Sequence, residues 1–136
     1  MEDNFFITNK TKIKIPALPL LEIKKDILGD SYSLSLVFLS EKKSKEINKI
    51  YRNKNNPTNI LSFNLSKKEG EILMCPGVIK KEIKDFGRSF SKLIGFLFIH
   101  GVLHLKNFDH SSKMEELEEK YDQKYFHQPR RRILPN

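Results

Sequence analysis

The stretch Leu93-Ile-Gly-Phe-Leu-Phe-Ile-His100-Gly-Val-Leu-His104-Leu105 is the longest apolar stretch of the chain. It is shorter than the roughly 20 apolar residues that a helix needs to cross a bilayer. Its composition instead predicts a buried core helix, which begins at Ser89 or Ser91. We therefore expect the other elements of the fold to pack around this helix.

The rest of the chain shows shorter patterns on both sides of this helix. Alternating or apolar runs predict strands at residues 4–8, 32–39, 60–64 and 71–75. Helical spacing predicts helices at 17–28, after Ser40, at 78–86 and at 113–126. Because the strands come early and most helices late, the sequence predicts an α+β fold with a small mixed sheet and helices on one side.

Length and charge limit the organisation of the protein and its partners. At 136 residues, the chain has the size of one domain, expected over residues 1–128, and a basic tail at 129–136 contains Arg130–Arg132. The net charge of +8 favours a polyanionic partner, either nucleic acid or an anionic membrane face.

Cysteine content and the first residues bear on location. The single cysteine, Cys75, excludes an intramolecular disulfide and fits a reducing cytosol. We interpret it as a small buried strand residue rather than a metal ligand or nucleophile. The first residues after Met1 are acidic, where a signal peptide needs basic ones. These features predict a cytoplasmic protein.

Three of the four histidines, His100, His104 and His110, follow the spacing His-x3-His-x5-His. Residues four apart share one face of a helix, and the third histidine lies past the expected helix end. Three histidines without a fourth protein ligand are typical of an open Zn²⁺ site, which is catalytic more often than structural. The pattern predicts one Zn²⁺ per chain, with Asp109 as acceptor for a ring N–H of a ligand.

The residue after His100 limits the type of hydrolysis that such a site could catalyse. Metalloproteases carry His-Glu-x-x-His, whereas this chain has Gly101 in the place of the glutamate base. This argues against proteolysis but leaves metal-assisted hydrolysis open. The alternative, helix-end histidines in a core, would be favoured for one histidine but not for three. His127 is predicted to be a surface residue.

A second segment, Asn48-Lys-Ile-Tyr-Arg52-Asn-Lys-Asn-Asn-Pro57-Thr58-Asn59-Ile-Leu61-Ser62-Phe63, precedes the histidines. It reads as a helix end, a polar loop and an edge strand. An arginine at a helix end before a loop is well placed for a phosphate contact.

Together, the two segments resemble the YbeY family of bacterial endoribonucleases and rRNA maturation factors. The family signature is His-Gly-x-Leu-His-Leu-x-Gly-Tyr-Asp-His, and residues 100–110 follow it in register. The upstream family motif is Asn-x-x-Tyr-Arg-Gly-Lys-Asp-x-Pro-Thr-Asn-Val-Leu-Ser-Phe, which residues 48–63 follow closely. The resemblance spans about residues 30–126.

The resemblance implies a fold, a set of roles and partners. The family fold is a small sheet of about four strands with several helices around a central helix. The matching residues imply zinc ligands, an arginine important for RNA cleavage, and residues that line the cleft. The implied zinc ligands are His100, His104 and His110. The implied catalytic residue and phosphate contact is Arg52. The residues implied to line the cleft are Thr58, Asn59, Ser62 and Phe63.

The same resemblance implies action on single-stranded RNA, in 3′-end maturation of small-subunit (16S) rRNA and in ribosome quality control. The implied partners are precursor rRNA, the small ribosomal subunit and an assembly GTPase, in the bacterial cytoplasm and without a membrane.

Besides the conservative exchange of valine for Ile60, four positions depart from the family motifs. Asn53 and Asn107 replace glycines, Asn55 replaces an aspartate, and Phe108 replaces a tyrosine and so lacks its hydroxyl. If position 107 has a positive φ, asparagine is the next-best residue after glycine.

Two other functions remain open from the sequence. One is a metal hydrolase that acts on another substrate, such as a peptide or a small phosphoester. The other is a non-catalytic ribosome assembly factor whose metal is structural. The helix at 113–126 is read as a solvated outer face, supported by a Glu116–Lys120 pair.

Overall fold

The computed structural model describes residues 4–107 and 112–126. Over these residues the chain forms a mixed sheet and a set of helices, which confirms the predicted α+β class with a small four-stranded sheet. In chain order the elements are β1 (Phe5–Asn9), α1 (Leu20–Leu28), β2 (Ser33–Phe38), α2 (Glu41–Arg52), β3 (Ile60–Ser66), β4 (Glu69–Met74), α3 (Pro76–Lys81), α4 (Ile83–Phe86), α5 (Phe90–Leu105) and α6 (Ser112–Tyr125).

The sheet has the strand order β1-β2-β4-β3. Strand β2 pairs in parallel with both β1 and β4, and β3 pairs antiparallel with β4 through a short hairpin. The register of the hairpin shifts between Asn64 and Ser66. This topology leaves β3, which follows the Arg52 segment, at an edge of the sheet.

One face of the sheet carries the core. Along β2, Leu34, Leu36 and Phe38 are fully buried, while the residues between them are half-buried. This is the period of two that the alternating sequence predicts. The buried face packs against α5, which also contacts α1, α3 and α6. The predicted position of α5 at the centre of the fold is therefore confirmed.

Helix α5 begins after Ser89, whose hydroxyl accepts a hydrogen bond from the backbone N–H of Lys92. Of the two serines predicted as possible starts, Ser89 is thus the N-cap. Near the other end, Gly101 lets the helix backbone approach the sheet. A Cβ atom at this position would lie 2.8 Å from Ile60 Cδ1 and 3.0 Å from Ser62 Oγ.

Two predicted helices differ from those observed. The helix predicted at 17–28 begins only at Leu20, because Pro19 disfavours the helical conformation of Leu18 and itself occupies the N-cap position. The helix predicted at 78–86 is divided at Glu82 into α3 and α4, and Pro76 begins the first of them. Gly87 ends α4 with a φ of 64°, as predicted.

The last helix is attached to the rest of the fold at its C-terminal half. Asp26 on α1 accepts hydrogen bonds from Lys124 Nζ at 2.6 Å and Tyr125 Oη at 2.7 Å. Arg88 donates to the buried carboxylate of Asp122 at 2.9 Å. Helix α6 therefore has one embedded face in addition to the solvated face that the sequence predicts.

Over residues 4–107 and 112–126, no helix combines the length and the apolar character needed to cross a membrane. The basic tail predicted at 129–136 lies outside the described residues.

Candidate metal centre

The first two predicted metal ligands lie side by side on α5. His100 and His104 present their Nε2 atoms to each other at 3.0 Å, and their ring planes are inclined by 80°. This is the convergence that a spacing of four residues predicts on a helix.

The distance between these two nitrogens fits a shared metal ion. Two histidine nitrogens bound at about 2.1 Å to a tetrahedral zinc ion lie roughly 3.4 Å apart. A small rotation of either ring would reach that separation from the observed 3.0 Å. The separation of the two donors on the last turns of α5 is therefore compatible with a shared ion.

The remaining ligand is not described. Among residues 4–107 and 112–126, no group of three His, Cys, Asp or Glu side chains could hold a metal ion. The predicted third ligand, His110, and its neighbour Asp109 lie outside these residues, as do Phe108 and His127. The three-histidine site and the role of Asp109 therefore stay predictions.

Sequence reasoning missed one residue at this centre. The carboxylate of Glu118 on α6 contacts Nδ1 of His100, on the side of the ring away from the Nε2 pair. Both side chains are largely enclosed, with 23% and 14% of their surfaces exposed for His100 and Glu118. Glu118 is eighteen residues from His100 in sequence, so only the packing of α6 on α5 brings the two together.

The two sequence segments singled out above meet in one cleft of about 470 Å³. Its mouth is open, and its walls come from the end of α2, the loop that follows, the edge strand β3 and the end of α5. The lining residues are Arg52, Thr58, Asn59, Ile60, Leu61, Ser62, Asn64, His100, His104 and Leu105.

Arg52 is the last residue of α2, and its side chain is exposed at the cleft. Within the described part of the chain, its guanidinium has no hydrogen bond or ion pair. The helix ends because Asn53 adopts the left-handed conformation, with a φ of 56°. Arg52 therefore faces the cleft with a fixed positive charge.

Two of the predicted cleft residues use their side chains to hold the scaffold. Asn59 donates from Nδ2 to a carboxylate oxygen of Glu82 at 2.9 Å, and Ser62 Oγ donates to the backbone oxygen of Gly101 at 3.3 Å. Phe63 follows Ser62 in the strand, so its side chain points to the opposite face of the sheet. There its ring packs edge-on against Tyr51, with centroids 5.0 Å apart.

The loop after Arg52 is held by two buried polar residues of α2. Ser44 Oγ accepts from the backbone N–H of Thr58 and donates to its oxygen, both at 3.0 Å. Asn48 Nδ2 donates to the oxygen of Asn56 at 2.8 Å. These bonds fix the direction in which the chain leaves α2, and with it the position of Arg52 relative to the histidines.

Cys75 lies one residue past β4, as the N-cap of α3 rather than within the predicted strand, and its thiol is buried. Burial raises the pKa of this thiol, which disfavours the reactive thiolate. The structure thus agrees with the interpretation of Cys75 as a small buried residue.

Comparison with known proteins bears directly on this arrangement. The model of the family described as "Endoribonuclease YbeY" matches residues 6–128. The chain belongs to the YbeY family. The resemblance inferred from the two motifs is therefore confirmed over most of the chain.

Individual relatives agree with this assignment. The endoribonuclease YbeY of Staphylococcus carnosus is 35% identical over 107 residues, which cover 70% of each chain. That of Thermosipho melanesiensis is 35% identical over 112 residues, covering 76% of this chain and 81% of the relative. The solution structure of TM1509 from Thermotoga maritima superposes with a TM-score of 0.63 at 30% identity, covering 88% of this chain and 87% of that one.

Proposed function

We propose that this protein is a zinc-dependent endoribonuclease that cleaves single-stranded RNA, acting in 3′-end maturation of small-subunit rRNA and in ribosome quality control. Membership of a family of endoribonucleases supports the hydrolysis of RNA. The single observation that carries the metal-assisted mechanism is that the paired histidines and Arg52 line the same cleft.

In this proposal, His100, His104 and His110 hold the metal. A metal ion held there would supply either a Lewis acid that polarises a phosphoryl oxygen or a hydroxide nucleophile. Arg52 binds the scissile or the adjacent phosphate through its planar guanidinium. Its charge then stabilises the negative charge that develops on the phosphoryl oxygens in the transition state.

Substrate binding in the proposal is largely electrostatic. The net charge of +8 attracts the RNA backbone, and contacts of lysines with phosphates hold it without reading its sequence. The segment from Thr58 to Phe63 is proposed to border the RNA, with Thr58, Asn59 and Ser62 in the cleft lining and Phe63 on the opposite face of β3. The small ribosomal subunit and an assembly GTPase as partners, and the cytoplasm as location, rest on the family resemblance alone.

The decisive experiment measures metal content and cleavage of single-stranded RNA in parallel, for wild type and His104→Ala. We expect about one zinc per wild-type chain, and loss of both metal and cleavage in the variant, because two histidines hold zinc poorly. His127→Ala is the control, since it removes the histidine outside the motif. A folded wild-type protein that binds no metal would exclude the site.

The same assay tests the two other functions left open by the sequence. A non-catalytic assembly factor would bind metal but cut no RNA, and His104→Ala would lose thermal stability and ribosome binding together. A hydrolase with another substrate would bind metal and cleave casein or a small phosphoester in preference to RNA. Either result would replace the proposed ribonuclease activity.

A further inference from the structure

Glu118 contacts the metal centre without having been assigned to it by either motif. Its carboxylate holds Nδ1 of His100, while Nε2 of the same ring faces Nε2 of His104. The two nitrogens of an imidazole point in diverging directions. Glu118 therefore cannot reach the point between the Nε2 atoms while it holds Nδ1, which makes it a partner of the ligand rather than a ligand.

The chemistry of this contact determines which nitrogen can bind metal. A carboxylate oxygen accepts hydrogen bonds, so its contact with Nδ1 favours the tautomer of His100 that carries the proton on Nδ1. The lone pair then lies on Nε2, which is the atom that converges with His104. Without an acceptor on Nδ1, the proton could occupy either nitrogen, and the ring would also be free to turn.

Glu118 is held in place by its neighbours on the same face of α6. Met114, Asp122 and Phe126 lie four residues apart in register with it, and they are 1%, 3% and 8% exposed. Asp122 accepts a hydrogen bond from Arg88, and the ring of Phe126 packs on Gly95 of α5. These contacts fix the rotation of α6 about its axis and its position along α5. Glu118, the remaining residue of this face, therefore meets His100.

We propose that Glu118 is a positioning residue of the metal centre, which fixes the tautomer and orientation of His100. This inference rests on the proposed metal site. Other carboxylates of the helix do not compete for the role, because Glu115, Glu116 and Glu119 are exposed and Glu118 is the one in contact with the ring.

Four variants of the full chain separate positioning from general support of the fold. Glu118→Ala removes the acceptor, whereas Glu118→Gln keeps an acceptor oxygen and removes the charge. Glu116→Gln makes the same change of charge at an exposed position of α6. Asp122→Asn weakens the docking of α6 through Arg88 and leaves the His100 contact in place.

Zinc affinity is measured with Zn²⁺ in competition with a chromophoric chelator, alongside the melting temperature of the metal-free protein. We expect Glu118→Ala to bind zinc about 10- to 100-fold more weakly than wild type, Glu118→Gln to fall between them, and Glu116→Gln to match wild type. The proposal is overturned if Glu118→Ala keeps wild-type affinity. It is also overturned if Asp122→Asn, at an equal loss of melting temperature, loses as much affinity.

A second measurement uses metal-free protein and does not depend on zinc binding. Long-range ¹H–¹⁵N NMR of the His100 ring should show the proton on Nδ1 in wild type, and a clear rise of the Nε2–H form in Glu118→Ala. The same tautomer in both proteins would overturn the proposal. A wild-type protein that binds no zinc contradicts the proposed function instead, and the tautomer then decides the role of Glu118.

Discussion

Two asparagines show how single residues replace family glycines without loss of the local fold. Asn53 ends α2 with a φ of 56°, and Asn107 follows the end of α5 with a φ of 74°. They are the non-glycine residues with positive φ in the described part of the chain. The sequence predicted a tolerable exchange at position 107 for this reason, since asparagine enters the left-handed region more easily than other residues with a Cβ atom.

The same physics predicts the effect of substitutions at position 53. Asn53→Ala should lower the free energy of unfolding by about 1–2 kcal/mol, because alanine is strained in the left-handed region. Asn53→Gly should stay within about 0.5 kcal/mol of wild type, because glycine adopts this conformation without a Cβ clash. Urea unfolding measures both values. Asn55→Ala, in the same loop but without a positive φ, is the control, and equal stability of Asn53→Ala and wild type would contradict the prediction.

At the scale of elements, the placement of α6 decides which side chain meets Nδ1 of His100. The helix carries Glu118 to His100, and its last residues are tied to α1 by the contact of Asp26 with Lys124 and Tyr125. The sequence predicted the helix and its solvated face correctly. It could not predict the partners of the embedded face, because these lie on α1, on α5 and at Arg88, far from α6 along the chain.

The contact at Asp26 makes the docking of α6 dependent on pH. The hydrogen bonds from Lys124 and then Tyr125 hold the pKa of Asp26 below its ordinary value of 3.8. A lowered carboxylate pKa stabilises the folded protein above the ordinary value, and this contribution is lost as the pH falls through the lowered pKa.

We therefore expect Asp26→Asn to lower the melting temperature at pH 6, with a difference from wild type that shrinks steadily below pH 3.8. Thermal unfolding followed by circular dichroism across this range measures the difference. Asp85→Asn, which removes an exposed carboxylate from α4, should not reproduce the pattern. A difference that stays constant from pH 6 into the acid range would show that Asp26 acts by packing alone.

For the whole molecule, the excess of positive charge and the placement of Arg52 should both appear in RNA binding. Each phosphate neutralised on a single strand contributes a slope of about −0.7 to the dependence of log K on log salt concentration. The affinity of wild type should therefore fall steeply with salt. Because Arg52 faces the cleft, it should account for one such contact.

We expect Arg52→Ala to bind single-stranded RNA more weakly than wild type, with a salt slope shallower by about 0.7. The titrations are made with a chelator present, so that the RNA is not cut. Lys49→Ala removes the same charge from an exposed position one turn earlier in α2, outside the cleft lining, and should change the slope less. Equal effects of the two variants would mean that Arg52 contributes charge without a specific phosphate contact.

The sequence by itself determined those features that depend on residues close together along the chain. The alternation in β2, the apolar helix with histidines four residues apart, and the asparagines suited to positive φ follow from periodicity and residue chemistry, and the two motifs were enough to assign the family. The sequence did not predict the start of α1 or the division of the helix at Glu82, because residue propensities are least informative at the ends of elements.

Only the tertiary structure decided which residues meet across the fold. It packed Gly101 against Ile60 and Ser62, placed the ring of Phe63 against that of Tyr51, and brought Glu118 to His100. The physical reason is that these contacts depend on the rotation and separation of packed helices and strands. Those quantities are set by the whole core and leave no local pattern in the sequence.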